Sequence, residues 1–87
     1  MNIEAVWSKI KLCEGETFYK IRGGEYTYTV YGDFLMVDGI KASRITKNAL
    51  AKALEITDPT PRKIELAGCW GPSYIYGIIT DKRIIGY

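Results

Sequence analysis

The sequence predicts an α+β domain: an antiparallel meander of three or four strands packed against two or three short helices. Residues 3–12 and 47–56 repeat apolar side chains at helical spacing. Between them, glycine-bearing turns at Gly23-Gly24, Gly32-Asp33 and Asp38-Gly39 separate short runs rich in β-branched and aromatic residues. With 87 residues the chain has length for one core, so 1–87 is read as a single small domain.

The first helix, over 3–12, puts Ile3, Val6, Trp7 and Ile10 on one face, with Asn2 as N-cap and Glu14-Gly15 as its end. A two-residue turn at Gly23-Gly24 then opposes Arg22 to Glu25, Ile21 to Tyr26, Tyr19 to Tyr28 and Phe18 to Thr29. A turn at Gly32-Asp33 opposes Tyr31 to Phe34, Val30 to Leu35, Thr29 to Met36 and Tyr28 to Val37. A third, at Asp38-Gly39, opposes Val37 to Ile40, Met36 to Lys41 and Leu35 to Ala42. In this register Tyr19, Ile21, Tyr26, Tyr28, Val30, Leu35, Val37, Ile40 and Ala42 share one face. The opposite face is charged near Gly23 and gathers Phe18, Tyr31, Phe34 and Met36 near Gly15. An apolar cluster there calls for a covering helix or a partner.

Thr46 caps a helix over 47–56 whose buried stripe is Ala49, Leu50, Ala53 and Leu54. Asp58-Pro59-Thr60-Pro61 ends it, and Thr60-Pro61 starts a short helical turn with Ile64 and Leu66 as its buried residues. Ser73 to Thr80 has the β-branched and aromatic content of a strand, but Ile75, Ile78 and Ile79 keep helical spacing behind Pro72. The balance favours a helix over 72–80, followed by a tail or short strand over 81–87.

Composition removes several function classes. The chain has no histidine, which excludes Ser-His-Asp and Cys-His catalysis as usually built and takes away the commonest metal ligand. Its two cysteines, Cys13 and Cys69, lie too far apart for a zinc pattern and read as small buried hydrophobes. Asp33 and Asp38 are turn residues before they are an acid–base pair. No glycine-rich phosphate loop is present, since Gly23-Gly24 sits inside a hairpin. No enzyme, cofactor or metal is expected. The N-terminus lacks the apolar run of a signal peptide, and no stretch is long enough to span a membrane, so the expected address is the cytoplasm.

Two groups of residues point to binding. The stretch from Lys41 to Lys52 holds Lys41, Arg44 and Lys47 and no acid, and Arg62 and Lys63 follow. Lys47 opens a helix, where the dipole disfavours a cation unless an anion such as phosphate is near. Trp70 and Tyr74 add rings suited to stacking on bases. Together these seven residues predict a non-enzymatic module for nucleic acid or a nucleotide, although a net charge of +2 adds little support. The alternative is a protein–protein module using Phe18, Tyr31, Phe34 and Met36, with a protein partner or a second copy. An inhibitor or regulatory subunit would fit, and the bare organisation is similar to that of short bacterial or phage accessory proteins.

Overall fold

The computed structural model describes residues 2–86 and confirms the α+β class. Helix α1 (Ile3–Leu12) is capped by the Asn2 side chain, which accepts from the Glu4 N–H, and it buries Val6, Trp7 and Ile10. Strands β1 (Phe18–Tyr19) and β2 (Glu25–Tyr26) form one antiparallel pair; β3 (Tyr28–Tyr31), β4 (Phe34–Val37) and β5 (Arg44–Thr46) form a second sheet in that order. Four further helices follow: α2 (Lys47–Leu54), α3 (Pro61–Leu66), α4 (Pro72–Ile79) and α5 (Lys82–Ile85). The sequence predicts one continuous meander; the break at Thr27 instead divides the strands between two sheets. The Thr27 carbonyl there accepts from Asp38 N–H.

The Gly32-Asp33 turn has the predicted register, with Tyr31 opposite Phe34 and Tyr28 opposite Val37. The turns on either side do not. At the first, Gly23 N–H donates to the Lys20 carbonyl and Lys20 N–H to the Gly24 carbonyl, closing a three-residue loop with Gly23 at positive φ. Phe18 therefore opposes Tyr26, and Tyr19 opposes Glu25. The shift is odd, so it exchanges the faces: Phe18 turns into the core, while Tyr19 and Ile21 turn out to solvent. At the third turn the chain runs on to Ser43 before pairing again, with Met36 opposite Arg44 and Leu35 opposite Ile45. Ser43 is fully buried; its hydroxyl accepts from Val37 N–H and reaches the Ile40 carbonyl at 2.6 Å. It thereby does the work of a strand partner, and Ile40 and Ala42 are left outside.

Thr46 caps α2 by accepting from Ala49 N–H, and Leu50 and Ala53 lead its buried stripe. Thr60 and Pro61 start α3 as expected, and Ile64 is buried. Leu66 is exposed, because two residues along a helix turn a side chain by roughly 200°. The segment from Pro72 is a helix, with Ile75, Ile78 and Ile79 inward. The predicted tail or strand after it is helix α5, capped by Asp81 and buried through Ile84; Tyr87 lies outside the described residues.

Helix α4 packs on β1 through Gly77, where a β-carbon would meet the Tyr19 carbonyl and come within 2.6 Å of the Tyr26 hydroxyl. This close approach fixes the 20–24 hairpin beside the start of α4 and so determines which side chains meet there.

Candidate ligand-binding cleft

Tyr26 anchors the region. Its hydroxyl donates to the Tyr74 carbonyl at 2.6 Å, and its ring meets the Tyr74 ring edge-on at 5.0 Å. Burial holds the Tyr26 phenol well above its ordinary pKa, so it stays a neutral donor. Tyr74 lies parallel to Trp70, with an 8° interplanar angle and centroids 6.1 Å apart. Lys20 brings its ammonium to 5.3 Å from the centre of the Tyr74 ring. Gly71 lets the chain turn between Trp70 and α4, with φ of 67° and no side chain. Trp70 is 46% exposed, a large fraction for an indole.

Linked to this stack through Lys20 and Ser73 is an open concavity of about 550 Å³ lined by Lys20, Ile21, Arg22, Pro61 and Ser73; neither Trp70 nor Tyr74 is among its lining residues. That volume falls in the range of small-ligand sites. No acid lines it, and neither Lys20 nor Arg22 forms an ion pair among the described residues. Neither cation was singled out by sequence, because only the packing of α4 on β1 brings the hairpin tip to the aromatic pair.

The predicted basic strip is not continuous. Lys47 pairs with Glu4 of α1 at 2.8 Å. The anion that the sequence calls for at the start of α2 is thus supplied from within the chain. Lys63 bridges the Thr57 and Asp58 carbonyls at 3.0 and 3.1 Å, tying down the linker before α3. Arg62 makes an exposed pair with Glu65, worth about 0–1 kcal/mol. Arg44 lies on the outer face of β5, its guanidinium 4.1 Å from the centre of the Phe34 ring. It shares a concavity of about 450 Å³ with Phe34, Thr46, Lys47 and Asn48, but Glu4 and Asp33 line that one too. Lys41 is exposed on the 38–43 connection, near Tyr31 and Met36.

The predicted interaction cluster divides in the same way. Phe18 is fully buried, 5.3 Å from the Tyr28 ring and covered by the Arg83 guanidinium at 4.0 Å, so it offers no surface. Tyr31 and Phe34 do stack on the outer face, 5.7 Å apart, with Met36 half-buried beside them. Cys13 and Cys69 are buried and unpaired.

Among the described residues no helix is long and apolar enough to cross a membrane. No protein-family model, curated protein or solved structure matches the chain.

Proposed function

We propose that the chain is a small non-enzymatic binding module for a nucleic acid or nucleotide, held in the cleft of Lys20, Arg22, Pro61 and Ser73 beside Trp70 and Tyr74. One observation carries this reading. Two cations without ion pairs among the described residues open onto a concavity with no acid in its lining, and one of them, Lys20, lies over Tyr74, on which a half-exposed indole is stacked. Phosphate suits the cations, and a base suits the ring face. Trp7 is only 4% exposed, so a change in tryptophan emission on binding reports Trp70.

The test is a fluorescence titration of the whole chain with DNA and RNA oligonucleotides at several salt concentrations. Saturable quenching is expected, with log K falling against log salt at a slope of about −1.4 for two phosphate contacts on a single strand. Replacing Lys20 and Arg22 together by Ala should abolish the response at moderate salt. Binding that ignores salt, or no binding even at low salt, would remove this reading.

A second reading, a protein–protein module, is favoured by the outer face of the larger sheet. Tyr31 is half-exposed there on top of Phe34, and Met36 and Ile40 are close by. A homodimer through that face predicts a doubled mass in light scattering that Tyr31→Ser returns to the monomer. A wild-type monomer at every concentration would exclude that form of it.

A further inference from the structure

Of three cation–aromatic groupings among the described residues, one, Arg83 over the buried Phe18, is ion-paired and closes the core, and the other two include exposed rings. At the border of the cleft, the Lys20 ammonium lies over Tyr74, and Tyr74 lies parallel to Trp70. On the outer sheet face, the Arg44 guanidinium lies over Phe34, and Phe34 stacks on Tyr31 at an interplanar angle of 24°. The two are joined through β5. A β-carbon at Gly71 would stand 3.7 Å from Cδ1 of Ile45, so the corner after Trp70 rests against β5, and Arg44 is the next residue along that strand. Ile45 points into the core and Arg44 points out, and β5 is an edge of its sheet. That contact is with the inward tip of Ile45, on the face of β5 opposite to Arg44, so a chain leaving Trp70 has to pass round the β5 edge to reach Arg44.

Cations mark both ends of this path, and Glu4 and Asp33 also line the concavity at Arg44. Lys20, Arg22 and Arg44 make no ion pair among the described residues, whereas Lys47, Arg62 and Arg83 each do. The rings add a constraint on the ligand. A base can lie on Trp70 or Tyr31 only if its own face is free, as in a single strand and not inside a duplex.

We infer that the two groupings form one track, running from the Lys20–Tyr74–Trp70 cleft round the β5 edge to Arg44, Phe34 and Tyr31, and that its ligand is a single-stranded polynucleotide. This rests on the nucleic-acid reading of the cleft and goes further, because an isolated nucleotide would occupy the cleft alone.

The experiment compares a trinucleotide, a single strand of about 12 nucleotides (within the ~4–16 that small single-strand-binding folds cover) and the corresponding duplex. DNA and RNA versions are used, and they separate the two sources of the same chemistry. The whole chain is titrated as wild type, Arg44→Ala, Arg44→Lys and Trp70→Ala, with each fold checked by circular dichroism. The longer strand should bind roughly tenfold or more tightly than the trinucleotide, with a salt slope steeper by about 0.7 for the added phosphate contact. Arg44→Ala should weaken the longer strand by roughly fivefold or more and leave the trinucleotide unchanged. Arg44→Lys, which keeps the charge but not the planar group, should fall between. Trp70→Ala should weaken both ligands. If Arg44→Ala leaves the longer strand unaffected while the trinucleotide still binds, the track is wrong and the cleft stands. A duplex that binds as tightly as the single strand would also overturn the track. If no probe binds, the cleft and the track both fail.

Discussion

Tyr28 is fully buried, and its hydroxyl donates to the Ile10 carbonyl at 2.6 Å, tying the second sheet to α1. Burial, the leading cause, raises the pKa of both Tyr28 and Tyr26 far above the ordinary 10.0. The sign follows directly. The unfolded phenols lose their protons near pH 10 and the folded ones do not, so alkali favours unfolding. This contribution to stability should be full below about pH 10 and fall as pH rises beyond it. Thermal melts across that range should show the decline, and Tyr28→Phe should make it shallower. At neutral pH, Tyr28→Phe should cost about 0.5–1.5 kcal/mol for the lost hydrogen bond. Ser43→Ala should cost more, about 1–3 kcal/mol, because it leaves the buried Val37 N–H without its acceptor. Urea unfolding of each variant reads these differences.

At the scale of elements, Gly77 sets two effects against each other. Alanine favours a helix over glycine by about 1 kcal/mol. In α4, however, its methyl group would press on the Tyr19 carbonyl and the Tyr26 hydroxyl, and overpacking of that kind costs about 1–3 kcal/mol. One obstacle is backbone and the other is anchored to Tyr74, so neither yields cheaply. Gly77→Ala should therefore destabilise the fold, and it should weaken ligand binding by moving Lys20 away from Tyr74. The helices were legible in the sequence because caps and apolar spacing are local: Asn2, Thr46 and Thr60 all cap as expected. The strands were legible only where the turn was unambiguous, at Gly32-Asp33. At Gly23-Gly24 a two-residue and a three-residue loop both satisfy the glycines. The choice was made by long-range packing, which buries Phe18 in preference to Tyr19. The length of the third connection depends on one buried hydroxyl, Ser43, that no periodic pattern marks.

On the scale of the whole molecule, Arg83 ties α5 to the start of β1. Its guanidinium meets Asp81 with two bonds of 2.9 Å, Glu16 at 3.1 Å and the Thr17 carbonyl at 2.8 Å, while covering the Phe18 ring. These bonds hold the Asp81 carboxyl below its ordinary 3.8, chiefly through the Arg83 side chain. A lowered folded pKa stabilises above the unfolded value, and that stability is lost as pH falls through the folded one. Acid melts should thus show a loss beginning near pH 4 that Asp81→Asn shifts or removes. The same whole-molecule arrangement explains why the candidate site was only half legible. Trp70 and Tyr74 stood out as rings suited to stacking, but the cation over Tyr74 comes from a hairpin some fifty positions earlier. The acid-free run from Lys41 to Lys52 pointed instead to Lys47, whose charge α1 already answers through Glu4.

The proposed ligand surface is the hairpin tip against the Trp70–Tyr74 pair. Amide chemical-shift mapping tests it most directly, with a single-stranded oligonucleotide titrated into the labelled chain at low salt. Saturable shifts are expected at Lys20 to Gly24 and at Trp70 to Tyr74, with the indole N–H of Trp70 among the largest. Shifts confined to the start of α2 around Lys47 and Asn48, or none anywhere, would contradict it.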